Sequence, residues 1–430
     1  MKLQLDDIQG NILVGYRLPL VAHLFADVRS ENLARCWEFL GAVPVTPAAK
    51  SAMPPYTVNL GLTYPALAAL AGDEDRKIRT AFPAFAAGMR ARALLLRDPE
   101  VDTWAHRHLW VAIHAKDESA LKTGVEAIRR IGPDFDHELH GAAIVKDDHW
   151  FEHFGFRDDI ASPVVEGTEA IREPKNLAGN GKRDENGRWI PLKAGEFVLG
   201  YPNESNGPEL GAELMRVFRN GTFAVFRDLE QNVDAFRRYT TEEARRIGFV
   251  EEDLASNIIG RRRDGMALID ANQQPNDFDF QGDVKGHQCP LGAHIRRANH
   301  RDPDVKEGGR HRLIRRGRPY EKPANGDGKA PLRGLYFVAM NASIEDQFEF
   351  IQRQWLNDRA STDGDLDPLV GVGPSRMFVV EGQQPPLTLV DMPSFVTFRG
   401  GEYYFMPGIS ELRELARSNR HLPMQWGSYR

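Results

Sequence analysis

A chain of 430 residues has room for two or three compact units with full cores. Its 41% hydrophobic and 27% charged residues are ordinary for a globular protein, and a net charge of -6 offers no electrostatic footprint for nucleic acid. No run approaches the roughly eighteen apolar residues of a membrane-spanning helix. The start, Met1-Lys2-Leu3-Gln4-Leu5-Asp6-Asp7, reaches two acids before any apolar stretch, unlike a secretory leader, so the expected compartment is the cytoplasm.

In chain order, 20–28 reads as a strand, and Ser30 caps a helix whose Leu33, Cys36, Trp37 and Leu40 follow the helical period. A second strand spans 56–63, with Val58, Leu60 and Leu62 alternating. Helical stretches at 65–71 and 82–96 follow, then a strand at 108–115, a helix at 117–131 and a strand at 138–145. With the middle helices taken as an insertion, this is β-α-β twice over, the pattern of a ferredoxin-like domain. Residues 151–208 form a long connection with turn signals at Gly179-Asn180-Gly181 and Asn186-Gly187. Its aromatics Phe154, Phe156, Trp189, Phe197 and Tyr201 need burial, so it reads as ordered, and long ordered loops tend to be functional.

The alternation resumes with a strand at 223–229 and a helix at 233–247. Polar, irregular stretches at 277–290 and 299–329 bracket a histidine segment. A strand follows at 334–340, then a helix started by a capping box at Ser343-Ile344-Glu345-Asp346, with Ile344, Phe348, Ile351 and Trp355 on one face. A hairpin of 396–399 and 403–406 around Gly400-Gly401 and a helix at 411–418 close the chain. The expected division is an N-terminal unit at 1–150, a connection at 151–208 and a C-terminal unit at 209–430.

Three polar segments stand where irregular backbone is expected. The first is Phe154-Gly155-Phe156-Arg157-Asp158-Asp159, and the second is Cys289-Pro290-Leu291-Gly292-Ala293-His294 with Arg296, Arg297 and Arg301 close behind. The third is His311-Arg312-Leu313-Ile314-Arg315-Arg316. A neutral imidazole at His294 can ligate a transition metal, and nearby arginines can neutralise the acid groups of a cofactor carrying it. Two cysteines are too few for a disulfide framework; Cys36 reads as a small hydrophobe, and Cys289 as a residue at the Pro290 turn or as a thiolate ligand. Among thirteen histidines, His106 with His108 and His137 with His140 are weaker metal-site candidates, lying in or beside strand patterns that explain them without a metal.

These segments, in this order, resemble the dye-decolorizing peroxidases. Asp6-Asp7-Ile8-Gln9-Gly10-Asn11 is similar to the family's opening, and Gly155-Phe156-Arg157-Asp158-Asp159 to its GxxDG motif. Gly292-Ala293-His294-Ile295-Arg296-Arg297-Ala298-Asn299 resembles its haem-ligand segment, and Ile314-Arg315 its distal arginine. Gly334-Leu335-Tyr336-Phe337 and the run from Gln347 to Trp355 also match, and the longer histidine segment is like that of the family's larger members.

The resemblance implies an α+β fold of two ferredoxin-like domains, antiparallel sheets with flanking helices, with one haem b held mainly by the C-terminal one. It further implies His294 as axial ligand of the haem iron, with Asp158 as acid-base and Arg315 as charge stabiliser on the opposite face. Arg301 falls at a position the family uses against a haem propionate, and Arg297 is a second candidate. The implied reaction reduces hydrogen peroxide and oxidises dyes, phenols or similar bulky donors, with Tyr320 or Trp355 as surface electron-transfer sites. The expected state is a monomer or homodimer, with no nucleic-acid or membrane partner.

The residue types suit that chemistry. An acid-base over the metal can take the proton of peroxide from one oxygen and return it to the other, while a donor that never titrates stabilises charge on the departing oxygen. A carboxylate on the far ring nitrogen of His294 would strengthen the ligand, and the 343–350 segment offers Glu345 ahead of Asp346, which the cap already explains. One departure stands out: Asp159 replaces the motif's closing glycine, setting a second carboxylate beside Asp158. Were both to face the pocket, repulsion would impair the base. The alternative reading is therefore a haem-binding protein on the same scaffold with weakened peroxidase activity.

Overall fold

A computed structural model of the chain describes residues 2–29, 31–49, 52–71, 75–101, 104–168, 177–205, 210–269, 275–301, 310–324, 330–358, 366–373 and 376–418. Ser30, the expected cap of the first helical pattern, lies outside them.

The first half begins with α1 (Gly10–Leu13), β1 (Leu20–Ala26), α2 (Leu33–Ala42) and β2 (Tyr56–Leu62). The insertion follows as α3 (Tyr64–Ala71), α4 (Asp75–Ala81), α5 (Pro83–Ala91) and α6 (Ala93–Leu96). The 82–96 pattern is thus broken in two, and Gly88 at φ +73° kinks the first piece. Next come β3 (Leu109–Ala115), α7 (Glu118–Ile131) and β4 (His137–Ala142). Asp117 caps α7, its carboxylate accepting from the Ala120 N–H at 2.8 Å. All pairings are antiparallel in the order β4-β1-β3-β2.

The connection carries two small hairpins, β5 (Ile144–Lys146) with β6 (His149–Phe151) and β7 (Lys182–Arg183) with β8 (Trp189–Ile190). As its composition requires, Phe154, Phe156, Phe197 and Tyr201 are buried. The second half runs α8 (Ala212–Phe218), β9 (Thr222–Gln231), α9 (Val233–Ile247), α10 (Glu251–Ile259), α11 (His294–Ala298), β10 (Ile314–Arg315), β11 (Arg318–Lys322) and β12 (Leu332–Asn341). It closes with β13 (Phe378–Val380), β14 (Leu387–Leu389), β15 (Val396–Met406) and α12 (Ile409–Ser418). The order β12-β9-β15, with β10 and β11 on β12, repeats the antiparallel pattern of the first half.

The two half-sheets join edge to edge where β15 meets β2 at Phe405 and Leu62, making one nine-stranded sheet. At the other end β4 approaches β11, where a Cβ on Gly141 would sit 2.9 Å from the Cβ of Arg318. The sheet therefore curls on itself, and alternate residues fill two separate cores. Phe25, Trp110, Phe226, Tyr336 and Tyr404 pack inside the curl, while Leu24, Val111, Phe223 and Phe405 face outward against the helices.

Two expectations are corrected here. The hairpin around Gly400-Gly401 is one continuous strand with a bulge between Phe398 and Gly400. Gly400 takes φ +140°, and a Cβ there would lie 1.7 Å from Trp104, so the glycine answers a tertiary close approach rather than a turn. The Ser343 helix forms, but with π-type turns over Ile344–Glu349 and Ile351–Leu356. Ser343 Oγ accepts from Asp346 N at 3.1 Å; in return Ser343 N donates to Gln347 Oε1 at 2.9 Å, one residue beyond the expected box partner.

Candidate haem site

His294 opens the short helix α11, and the loop before it is tightly held. Arg296 Nη1 donates to Asp283 Oδ2 at 3.1 Å and to the Cys289 carbonyl at 2.7 Å, and Cys289 N donates to Asp283 Oδ2 at 2.9 Å. Cys289 is fully buried and burial pushes its thiol up to about 12, so it packs as a neutral hydrophobe and not as a thiolate ligand.

The ring nitrogen Nδ1 of His294 lies 2.8 Å from Oδ2 of Asp367, which is completely buried. Burial works against the charged forms of both groups. Their mutual attraction and hydrogen bond nonetheless hold the His294 pKa above, and the Asp367 pKa below, the ordinary values. Asp367 Oδ1 is itself fixed by the N–H groups of Leu369 and Val370 at 2.9 and 2.8 Å. The expected acceptors lie elsewhere: Glu345 accepts from the Ala84 N–H at 2.7 Å, and Asp346 serves the Ser343 cap. Sequence reasoning missed Asp367 because it stands 73 residues from His294 with no spacing relation to it.

The fold brings the Asp158 and Arg315 segments together, for Arg315 is exposed and Nη2 donates to the Ala161 carbonyl at 3.2 Å. Asp158 N donates to the Trp150 carbonyl at 2.7 Å, and the turn before it hangs on Glu152. That carboxylate accepts from Phe154 N at 2.8 Å, Phe156 N at 2.9 Å and Gln231 Nε2 at 2.7 Å. Burial pushes its pKa up despite those bonds, and the Asp158 charge adds to the rise. Asp159 is exposed at φ +58°, in the left-handed region where the family's glycine is at ease.

Of the arginines behind His294, Arg297 is fully buried and Nη2 donates to the Asp358 carbonyl at 2.7 Å. Arg301, at φ +50°, turns to Asn276, donating to its carbonyl at 2.9 Å and its Oδ1 at 3.0 Å. Arg261 reaches the same Asn276, and Arg312 donates to the Gly181 carbonyl at 3.2 Å. The glycines of the 179–181 turn permit this crowding: a Cβ on Gly179 would fall 1.7 Å from the Asn276 carbonyl and 2.5 Å from Arg301 Nη1.

Burial pushes Arg261 and Arg312 down to about 10, and lowers Arg301 too. Arg315 adds repulsion to each of the three. Among the described residues no carboxylate forms an ion pair with Arg261, Arg301, Arg312 or Arg315. Converging unpaired guanidinium groups are costly unless an anion joins them. With His294 Nε2 also lacking a partner among the described residues, the donor set fits an anionic, metal-bearing group such as haem.

Neither proposed electron-transfer residue is at the surface. Tyr320 is 2% exposed, stacks on Tyr336 at 4.3 Å and donates to Asp228 at 2.7 Å. Trp355 is 7% exposed and stacks on His300 at 4.3 Å. Both were expected at the surface as sites for bulky donors implied by the resemblance; Tyr320 instead lies in β11 and Trp355 in the second π-type turn.

Two antiparallel half-sheets of ferredoxin-like order, with an imidazole–carboxylate pair and a cluster of buried arginines beside them, define a class of cofactor-binding α+β protein. The family model "Dyp-type peroxidase, C-terminal" matches residues 212–384. The multifunctional dye peroxidase DyP2 of Amycolatopsis sp. is 30% identical over 467 aligned positions, covering 96% of this chain and 96% of that protein. The dye-decolorizing peroxidase msp1 of Mycetinis scorodonius is 27% identical, covering 96% and 87%. Among solved structures, the DyP-type peroxidase of Anabaena sp. superposes with a TM-score of 0.75 at 25% identity, covering 96% of this chain and 94% of that one. The chain belongs to the dye-decolorizing peroxidase family, and is therefore an enzyme with a haem cofactor. No helix among the described residues is long and apolar enough to cross a membrane.

Proposed function

We propose that one haem b is bound per chain through His294, with its propionates met by Arg301, Arg261 and Arg312, and that the enzyme reduces hydrogen peroxide while oxidising dyes, phenols or similar bulky donors. The observation that carries this reading is the His294–Asp367 pair standing with a cluster of arginines that form no ion pair with a carboxylate among the described residues. Arg297, committed to the Asp358 carbonyl, is the weaker propionate candidate. When bound, the haem supplies the iron that accepts the oxidising equivalents of peroxide.

The protein's own residues divide the remaining work. Asp158 takes the proton of the incoming peroxide on its carboxylate and returns it to the departing oxygen. Arg315 presents N–H donors that stabilise negative charge on that oxygen. Asp367 accepts the Nδ1 proton of His294, fixing the tautomer and making Nε2 a stronger donor. Glu152 holds the turn that aims Asp158. The division into residues 1–150, 151–208 and 209–430 and a monomeric or homodimeric state remain part of this reading.

Stopped-flow mixing of the purified protein with peroxide tests it. Wild type shows a Soret band and a rapid spectral change. Asp158→Asn keeps the band and slows the change by about 10²- to 10⁴-fold. An unaltered rate removes Asp158 from the mechanism.

A further inference from the structure

Sequence spacing pairs His106 with His108, and the fold adds a carboxylate from a distant strand end. Asp27 follows β1, the two histidines lead into β3, and one ligand atom from each of the three residues lies within 4.8 Å of the others. Asp27 Oδ1 is 3.6 Å from His108 Nε2, and Asp27 Oδ2 is 3.6 Å from His106 Nδ1. Two donors at that separation, each about 2.1 Å from an ion, would subtend roughly 120° at it, close to a tetrahedral angle.

We propose that Asp27, His106 and His108 form a site for one divalent transition ion of the zinc type, with water completing four-coordination. Thr63 Oγ1 lies 2.9 Å from His108 Nδ1. When it accepts that ring proton, Nε2 turns a bare lone pair toward the Asp27 carboxylate. Two acceptors so placed repel each other, and a cation between them resolves the conflict.

His106 stands in the cluster at φ +68°, unusual for a residue with a side chain. Its competitor for Asp27 is the Arg29 guanidinium, which bonds Oδ2 from a side chain that is 56% exposed. The Asp27 carboxylate itself is only 8% exposed, so an ion bound there has to displace the guanidinium from Oδ2. The ion would clamp the end of β1 to the turn that delivers β3, on residues separate from those proposed to hold haem.

The test is a zinc titration of untagged holoenzyme, stripped with EDTA and desalted, at pH 7.5 by calorimetry, with metal content read by mass spectrometry. Wild type takes up one Zn²⁺ per chain beyond its haem iron. His106→Asn, which tolerates the positive φ, and Asp27→Asn each weaken uptake at least about tenfold. His106→Asn leaves the Soret band, melting temperature and peroxidase rate unchanged, so a folding defect is distinguishable from a lost ligand. Arg29→Gln, which removes the competitor, binds at least as tightly as wild type. Absence of uptake by wild type, or equal uptake by His106→Asn, overturns the proposal.

Discussion

Asp367 sets the electronic character of His294 through a single contact. Its buried charge stabilises positive charge on the imidazole and, with a metal on the other nitrogen, would favour the higher oxidation state. Asp367→Asn keeps the bonds from Leu369 and Val370 through its remaining oxygen but loses the charge. The ferric/ferrous potential is expected to rise by roughly 60 mV, the one-electron equivalent of about 1.4 kcal/mol; spectroelectrochemistry showing no rise would count against the pair as a tuning element. At Asp159, exposure and φ +58° place the second carboxylate in a solvent-facing turn. Asp159→Gly should therefore leave the rate of reaction with peroxide essentially unchanged. A gain of about tenfold, worth about 1.4 kcal/mol of barrier, would favour the reading in which Asp159 weakens activity.

Glu196 links the connection to the C-terminal half at the level of elements. Its backbone carbonyl accepts from Ala342 N at 3.0 Å and Gln347 Nε2 at 2.9 Å, tying the connection to the start of the π-type helix. Its side chain is 4% exposed, and burial raises its pKa to about 7 from 4.5. A carboxyl with a raised folded-state pKa contributes stability that is fully present below the unfolded value and is lost as pH rises through the folded one. Glu196→Gln should accordingly match wild type in melting temperature near pH 4.5 and exceed it by several degrees at pH 7.5, on the order of 3 kcal/mol. A constant difference across that window would refute the assignment. Most strands and helices were legible, the helices because each buries one face and the central strands as short apolar runs buried on both. Helix α10 escaped notice, and Gly400-Gly401 was read as a turn when the bulge and Trp104 required it.

Across the whole molecule, elements of each half complete the other. The insertion reaches the C-terminal half through Arg92 Nε and Glu349 at 2.8 Å and through the buried pair of Asp98 with Arg227 at 2.6 Å. In return, Gln9 Nε2 donates to both Leu60 and Pro407 carbonyls at 3.0 Å, and α12 packs on α2. Far-ultraviolet ellipticity and near-ultraviolet aromatic signals should therefore melt together in one transition; two separated transitions would show that the halves are independent. The sequence by itself determined the paired α+β units, the histidine and arginine segments and the family, because apolar periodicity and ordered motifs are local properties of the chain. Only the tertiary structure decided that Asp367 partners His294, that Arg261 and Arg312 gather beside Arg301, and that Tyr320 and Trp355 are buried. Those outcomes depend on which distant segments meet when the two half-sheets join, and no local spacing records that.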